Sequence, residues 1–491
     1  MKIKNFIVFI LCSLFAGCTI SEKTTVRIIA PEEDNILVRP YVETFSETNA
    51  IIIWQIKDGV IGHLDFKTKI GNPEIITATV TDTIFRVVLT SLTPNTEYFY
   101  RLAGTSDIFS RFNTLSPERT NYSFGVLGDN RTRPDKFKKI VAEISKHDVD
   151  FVIHTGDILT RGTKLDEWYD EWFTPGRPMF ERSPVLVAWG NHEHPWDKKS
   201  YLNVFYPDRS QFKSKGYSSY RNGNVLFVHI NTYEPFKPGT EQYIWLENKL
   251  KTCKLPFIVA ALHVSAFTGA GHAKGDDIKE ARKFIVPLLA KYNVNLVVSG
   301  HDHVYDRSEY AETTYVISGG AGAPLYDPGT YLNPFSVKAK KSLHYVICSA
   351  GISNITANAY DIEGNIFDSF TLSPRKIPEV IPQAFTTFRP PWHNKFKLIF
   401  PLIKGGQGDF FDIYVRNFTT NILKGIVKVD VSENIQILPS ANFSFEIGSN
   451  EPIKELNFKA KLISKKEKNY PVKITVAVAG TTNTMEFTLS R

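Results

Sequence analysis

The stretch Val297-Val298-Ser299-Gly300-His301-Asp302-His303 decides how the central part of this chain is organised. Its first residues are apolar or small, which predicts a buried β-strand. The strand ends in Gly-His-x-His, so two imidazoles follow one strand end. A histidine pair by itself fits ordinary loop histidines as well as metal ligands. The choice between these depends on whether the rest of the chain supplies partners.

Four other predicted strands also end in residues that bind metals. The strands at 122–128, 150–155, 185–189 and 257–262 are followed by Asp129, by Asp157, by Asn191-His192-Glu193 and by His263. Side chains at the carboxyl ends of strands gather at one edge of an α/β sheet, so the five ends can converge. Carboxylate and amide oxygens combined with imidazoles suit Fe, Mn, Zn or Co rather than Mg or Ca alone. The ordered set therefore favours a metal site.

The composition is that of a large globular chain. With 491 residues, 42% of them hydrophobic, the chain is long enough for about three domains. The formal net charge of +7 is small for this length and implies no nucleic-acid partner. Cys253 and Cys348 lie in apolar surroundings, and two isolated cysteines are not a disulfide framework, so we expect buried thiols. The oligomeric state is open.

The hydrophobic patterns divide the chain into three domains. Short turn-separated strands predict a small β-sandwich over 26–115, with Trp54 in its core. Strands alternate with helices, at 135–146, 240–251 and 276–291, over a domain at 120–375, which predicts a layered α/β core. A proline-rich linker is expected at 374–392. Alternating strands over 395–491 then predict a second all-β accessory domain.

The N-terminus has the features of a targeting segment. Lys2 and Lys4 precede an apolar run at 6–15, which is shorter than the roughly 20 residues of a membrane-spanning helix. The ending Phe15-Ala16-Gly17-Cys18 resembles a bacterial lipoprotein cleavage box. That resemblance implies a signal peptide over 1–17, lipidation of Cys18 and anchoring in the cell envelope, with the outer membrane favoured. An ordinary secretory signal with a chance cysteine is the alternative.

The order Asp, Gly-Asp, Gly-Asn-His-Glu, His, Gly-His-x-His resembles the calcineurin-like metallophosphoesterases. It is most similar to the purple acid phosphatases, and the phrase 92–98, ending in Tyr98, resembles the tyrosine corner of the fibronectin type III domain that precedes their catalytic domain. The resemblance implies an α/β β-sandwich phosphoesterase core, flanked here by fibronectin-like and immunoglobulin-like domains. It also implies two metal ions. The metal ligands carried over are Asp129 and His303 for the first metal, Asn191, His263 and His301 for the second, and Asp157 for both.

The same resemblance implies a phosphomonoesterase in which a metal-bridging hydroxide attacks the phosphorus of a small phosphoester. His192 is the candidate general acid, with a ligand-orienting role as the alternative. His272 is similar in position to a substrate-contacting histidine, although it also fits a plain surface residue. Arg131 can bind a phosphate oxygen or be solvated. A phosphodiesterase or nucleotidase of the same fold, and a surface binding protein with a vestigial metal site, are the alternative functions.

Two positions depart from the resembled patterns. Thr160 stands where purple acid phosphatases have the tyrosine that binds and colours a ferric ion. Arg131 stands where other metallophosphoesterases have the histidine of Asp-x-His. The first metal is therefore expected to lack one protein ligand, which water or Asn130 can replace.

Overall fold

The structure is a computed structural model. It describes residues 31–57, 62–193, 202–206, 216–377, 384–389, 409–419, 421–448, 453–462 and 469–490. The predicted signal peptide and Cys18 lie outside these residues. Within the described ranges, no helix is both long enough and apolar enough to cross a membrane.

The N-terminal domain is built from two four-stranded antiparallel sheets. Its strands are β1 (Ile36–Phe45), β2 (Ala50–Ile56), β3 (His63–Thr68), β4 (Glu74–Thr77), β5 (Thr79–Thr81), β6 (Ile84–Leu89), β7 (Glu97–Leu102) and β8 (Ser110–Asn113). They are ordered β1-β2-β6-β5 and β4-β3-β7-β8. Trp54 is fully buried against Phe85, and the Tyr98 hydroxyl accepts a hydrogen bond from the Thr93 amide at 2.9 Å. Tyr98 therefore has the packing role that its position predicts.

The central domain contains thirteen strands and seven α-helices among the described residues. The strands are β9 (Tyr122–Leu127), β10 (Phe151–His154), β11 (Val185–Val187), β12 (Ser218–Asn222), β13 (Val225–Ile230), β14 (Phe257–Val264), β15 (Leu296–Gly300), β16 (Tyr305–Tyr310), β17 (Thr313–Ser318), β18 (Ser336–Lys340), β19 (His344–Ala350), β20 (Ile355–Asp361) and β21 (Ile366–Leu372). The helices are α1 (Pro134–Ile144), α2 (Leu165–Glu167), α3 (Thr174–Phe180), α4 (Leu202–Phe205), α5 (Glu241–Thr252), α6 (Asp276–Glu280) and α7 (Val286–Lys291). Two π-helical segments, Trp168–Phe173 and Ala281–Ile285, connect α2 to α3 and α6 to α7. A short 3₁₀ turn, Glu33–Asn35, precedes β1.

The central strands form two mixed sheets that pack face to face. Their orders are β11-β10-β9-β19-β20-β21 and β12-β13-β14-β15-β17-β16-β18. Phe124 and Phe151 of the first sheet meet Phe227 of the second at ring-centroid distances of 5.2 and 5.3 Å. Helices α1 and α3 cover the outside of the first sheet, and α5 and α7 cover the outside of the second. The core is thus a helix-flanked β-sandwich, as predicted.

The direction of the strands brings the candidate ligands to one end of this sandwich. Strands β9, β10 and β11 run parallel in one sheet, and β14 and β15 run parallel in the other. Their carboxyl ends carry the predicted ligands. One boundary was predicted wrongly, because β14 continues to Val264 and His263 lies inside the strand rather than after it. The ring still reaches the site because His263 is close to the end of the strand.

The C-terminal described residues form two further antiparallel sheets. The strands are β22 (Ala384–Arg389), β23 (Asp409–Asn417), β24 (Leu423–Val431), β25 (Ile435–Leu438), β26 (Asn442–Ile447), β27 (Ile453–Leu462), β28 (Asn469–Val478) and β29 (Thr481–Ser490), ordered β22-β23-β27-β25 and β26-β24-β28-β29. The prediction of a linker over residues 374–392 is partly wrong. Residues 384–389 pair with β23, so they belong to the accessory domain, which starts before residue 395. Cys348 is buried as expected, but Cys253 is only partly buried.

Candidate metal centre

Four side chains meet at the position predicted for the second metal. Nε2 of His263 lies 3.3 Å from Oδ1 of Asn191, 3.4 Å from Oδ1 of Asp157 and 3.2 Å from Nδ1 of His301. Ligand atoms that are about 2.1 Å from one tetrahedral metal lie about 3.4 Å apart. The distances from Nε2 of His263 to the other three atoms therefore fit those between ligands of one metal ion.

The hydrogen bonds on the far sides of the two imidazoles determine which nitrogens carry protons. Nδ1 of His263 is 2.7 Å from the Thr155 carbonyl, which can only accept, so that nitrogen is the donor. Nε2 of His301 is 3.1 Å from Oδ2 of Asp277 and donates to this carboxylate. The two nitrogens that face each other, Nε2 of His263 and Nδ1 of His301, therefore both carry lone pairs. Two lone pairs 3.2 Å apart, next to two acceptor oxygens, repel each other unless a proton or a metal ion lies between them, so this position fits a metal.

The position predicted for the first metal has three ligands. A carboxylate oxygen of Asp129, a carboxylate oxygen of Asp157 and a nitrogen of His263 all lie within 4.8 Å of one another, so the carboxylates of the two positions are adjacent. Nε2 of His303 is 3.6 Å from Oδ1 of Asp129. Nδ1 of His303 donates to the Pro324 carbonyl at 2.8 Å, which leaves Nε2 buried without a hydrogen-bond partner among the described residues. A bound metal ion would explain why this buried nitrogen has no hydrogen-bond partner. The first position therefore also fits a metal, although it has fewer ligands than the second.

The backbone at these strand ends adopts conformations that are rare for residues other than glycine. Asp129, Asp157 and His301 have φ values of 59°, 57° and 69°. Left-handed residues cluster at functional sites because the surrounding structure must hold them there. Two glycines leave space for the ligand carboxylates. A Cβ on Gly300 would lie 2.3 Å from Oδ2 of Asp129, and a Cβ on Gly190 would lie 2.2 Å from Oδ1 of Asp157.

The charges around Asp157 keep it ionised. Burial by itself raises the pKa of this carboxyl, but His263, His192 and Arg131 together lower it to about 2. Asp129 is the opposite case, because burial and the charge of Asp157 raise its pKa. Two adjacent buried carboxylates need a positive charge between or beside them, which a bound cation supplies. Burial also lowers the pKa of His263 to about 4, which keeps it neutral as metal binding requires.

The predicted catalytic residues lie around this centre. Nδ1 of His192 donates to the Thr160 carbonyl at 2.6 Å, so its Nε2 faces Asp157, 3.7 Å from Oδ2. Nε of Arg131 donates to Oδ2 of Asp157 at 3.2 Å. The ring of His272 stacks on His301 with centroids 4.1 Å apart. All three residues predicted as catalytic are thus beside the ligands, and each remains partly exposed.

Sequence reasoning missed three carboxylates that hold these residues in place. Glu193 accepts from the amides of Asp157, Ile158 and Gly190 at 2.8 to 2.9 Å, which joins two ligand-bearing loops. The buried Asp302 accepts a hydrogen bond from Nδ1 of His272 at 3.0 Å. Burial of His272 lowers the pKa of its imidazole, but the contact with Asp302 outweighs this effect and raises the pKa.

Asp277 is the third missed carboxylate. Glu193 and Asp302 belong to the quoted motifs, so their positions signalled a role. Asp277 lies in the first turn of α6, and no local pattern distinguishes it from its neighbour Asp276.

Thr160, at one of the departing positions, and Asn130, the candidate replacement ligand, both form hydrogen bonds with other groups. The Thr160 hydroxyl donates to Oε1 of Glu171 at 2.8 Å. The amide nitrogen of Asn130 donates to the carbonyls of Ile158 and Glu171 at 2.8 and 3.0 Å, and its buried Oδ1 has no hydrogen-bond partner among the described residues. Thr160 therefore does not replace the tyrosine ligand, while Asn130 keeps one oxygen available.

The aromatic residues between the second and third ligand-bearing strands belong to the core. Trp168, Trp172 and Phe173 are buried beneath α1 and α3, and Tyr169 packs against the same cluster. His154 is also buried, with its ring edge-on to Trp172 at 5.2 Å. These side chains therefore stabilise the core and do not line the candidate site.

Comparison with known proteins agrees with this site. The family model described as calcineurin-like phosphoesterase matches residues 101–305. "Probable purple acid phosphatase 20" of Arabidopsis thaliana is 33% identical over 237 residues, which are 45% of this chain and 54% of that protein. "Probable inactive purple acid phosphatase 9" of the same plant is 28% identical over 279 residues, 45% of this chain and 42% of that protein. The chain spans about half the length of the curated relatives it matches.

A solved structure shares the fold. Purple acid phosphatase PPD1 from yellow lupin, Lupinus luteus, superposes with a TM-score of 0.56 at 20% identity, covering 68% of this chain and 74% of that one. The similarity to the lupin structure shows the shared fold. The family match places a calcineurin-like phosphoesterase domain at residues 101–305, and its relatives include purple acid phosphatases. Such a domain supports a phosphoric ester hydrolase.

Proposed function

We propose that this chain, whose central domain is a calcineurin-like phosphoesterase domain, hydrolyses phosphomonoesters with two metal ions that share Asp157. The observation that carries the proposal is the set of acceptor atoms at the second position. Nε2 of His263 lies 3.2 to 3.4 Å from a ring nitrogen of His301 and from oxygens of Asn191 and Asp157, all of which are types of metal ligand. A binding protein without metal chemistry has no use for that arrangement.

The metal ligands are the six residues carried over from the family. Asp129, Asp157 and His303 would hold the first ion, and Asp157, Asn191, His263 and His301 would hold the second. Metal ions at such paired positions polarise phosphoryl oxygens and lower the pKa of a coordinated water. Asp157, ionised and facing both positions, keeps the pair close together. Fe, Mn, Zn and Co all suit the donor set, and Thr160 argues against a ferric tyrosinate centre.

The chain's own residues act on the substrate around this centre. Nε2 of His192 faces the ligands, so the protonated ring can donate to the departing alkoxide. Arg131 beside Asp157 can bind one phosphate oxygen through its planar guanidinium. The hydrogen bond from His272 to Asp302 favours the charged imidazole, which can bind a second oxygen. The preference for monoesters follows the names of the acid phosphatase relatives, and phosphodiesterase or nucleotidase activity is the alternative.

The test combines metal analysis with hydrolysis. Purified chain is equilibrated with Mn, Zn, Co or Fe and assayed on model phosphomonoesters and phosphodiesters, beside Asp157→Ala. Asp135→Ala is the control, because Asp135 is an exposed acid of α1. We expect up to two metals per chain and monoester hydrolysis that Asp157→Ala abolishes and Asp135→Ala retains.

Two other results would redirect the proposal. Absence of bound metal together with absence of Asp157-dependent hydrolysis would favour the surface-binding alternative. Hydrolysis of diesters or nucleotides in preference to monoesters would keep the enzyme and change its substrate class.

We also infer that the chain is exported and held at the envelope of a bacterial cell by a lipid on Cys18. The support is the charged, apolar and small-residue order of residues 1–18. Mass spectrometry of the membrane fraction would show an acylated N-terminal cysteine, and Cys18→Ala would release the protein from that fraction. Release of the unaltered chain into the soluble fraction would support an ordinary secretory signal.

A further inference from the structure

The two metal positions differ in how much positive charge the chain already places beside them. The first position has Asp129, Asp157 and His303, whereas the second has four ligands. Arg131 is a permanent cation next to Asp157, and its charge also acts on Asp129 and His303 of the first position. Arg131 follows Asp129 by two residues, and its Nε donates to Oδ2 of Asp157 at 3.2 Å.

A backbone hydrogen bond, in addition to the side-chain contact, holds Arg131 close to Asp157. Its backbone amide donates to the Asp157 carbonyl at 3.4 Å, which fixes the main chain of one ligand loop on the other. The side chain is only 18% exposed, so solvent screens its charge weakly. The same charge also acts on Asp129, whose pKa would otherwise be raised further by burial and by Asp157. Arg131 thus contacts one carboxylate of the first position directly and acts on the other through its charge.

The two carboxylate oxygens of Asp157 have different neighbours. Oδ1 faces His263 and the second position, while Oδ2 faces Arg131. A cation arriving at the second position meets an oxygen that no arginine engages. A cation that binds at the first position must share the carboxylates there with the guanidinium of Arg131. The guanidinium repels the cation and has to move away before the cation can bind.

We infer that the two positions fill in sequence: the second binds its metal tightly, and the first binds weakly because Arg131 already neutralises the carboxylates there. The inference rests on the proposed function and deepens it. One metal is then resident, and the enzyme becomes fully active only when free metal is high enough to fill the first position. Displacement from Asp157 releases the guanidinium towards the substrate phosphate, so filling of the first position and phosphate binding are coupled.

Calorimetric titration of the metal-stripped full chain with Mn²⁺, and separately with Zn²⁺, tests the inference. We expect one tight step and a second step at least about tenfold weaker. Arg131→Met removes the charge with little change in length, so it should tighten the weaker step about tenfold and leave the tight step unchanged. Arg131→His adds an imidazole at the same position and should tighten the weaker step further. Arg133→Met is the matched control, because Arg133 is an exposed arginine on the same loop.

The outcomes separate this inference from the proposed function. Two equally tight steps in the unaltered chain would overturn the inference and would favour Oδ1 of Asn130 as the missing ligand. An unchanged weaker step in both Arg131 variants would also overturn it. Absence of any tight step, together with absence of hydrolysis, would instead contradict the proposed function itself.

Discussion

Oδ2 of Asp277 lies 3.1 Å from Nε2 of His301, on the side of the ring opposite the nitrogen that faces His263. The contact places the proton of His301 on Nε2 and leaves Nδ1 free to bind a metal. A carboxylate that orients a histidine ligand in this way also increases its basicity. Asp277 is therefore a positioning residue for the second metal, although it is not a ligand of that metal in the resembled pattern.

We expect Asp277→Asn to weaken metal binding at the second position by about 10- to 100-fold, because the amide removes the charge that fixes the tautomer. Competition with a chromophoric chelator measures this affinity without reference to activity. Asp276→Asn is the matched control, since Asp276 is the exposed neighbour in the same helical turn. Equal effects of the two substitutions would mean that only the overall charge of α6 matters.

The tautomer of His192 leads to a prediction about leaving groups. Because Nδ1 donates to the Thr160 carbonyl, only Nε2 can deliver a proton to the substrate. His192→Gln should lower kcat/KM for an alkyl phosphate by about 100-fold or more, since its alkoxide needs the proton. The loss for p-nitrophenyl phosphate should be less than about tenfold, because p-nitrophenolate leaves unaided. Equal losses on both substrates would assign His192 to ligand orientation instead.

The stacking of His272 on His301 leads to a prediction about substrate binding. The bond from Nδ1 of His272 to the buried Asp302 keeps its ring over the centre. His272→Ala should raise KM for phosphomonoesters about tenfold with a smaller change in kcat, as expected for a group that binds the phosphate in both states. Asp302→Asn should shift KM in the same direction. Metal affinity should stay unchanged in His272→Ala, and a loss of metal would show that the ring supports His301 rather than the substrate.

A buried histidine outside the candidate ligand set makes the fold sensitive to acid. His344 is fully buried, and burial lowers its pKa to about 4, below the usual value of 6.5. The unfolded chain therefore takes up a proton from pH 6.5 downwards and the folded chain does not, so stability falls as pH falls through this window. Between pH 7 and pH 5, this one group costs about 2 kcal/mol of unfolding free energy.

His344→Gln removes that titration, since glutamine stays neutral and can still donate to the Ser342 carbonyl that His344 contacts at 2.9 Å. Denaturant unfolding followed by tryptophan fluorescence at pH 7 and pH 5 should show a smaller loss in the variant than in the unaltered chain. An identical loss in both proteins would mean that other groups, such as the buried His229, dominate the acid sensitivity.

Much of the architecture was predictable from local patterns. The period of hydrophobic residues predicted α1, α5 and nearly all the strands that carry ligands, because buried faces repeat every two residues in strands and every three or four in helices. It failed at β22, where a proline-rich segment forms a strand through pairing with β23. It also failed at the end of β14, since the pattern could not show that His263 continues the strand.

The sequence by itself predicted which residues meet at the candidate metal centre, because ligand types follow successive strands and parallel strands end at the same edge of a sheet. The tertiary structure alone decided which atom of each residue faces which neighbour. Asp277 reaches His301, Asp302 reaches His272, and Arg131 reaches Asp157 across separations of 24 to 30 residues that no local period encodes. Proton positions and metal affinities depend on those contacts, so they were settled only when distant segments packed together.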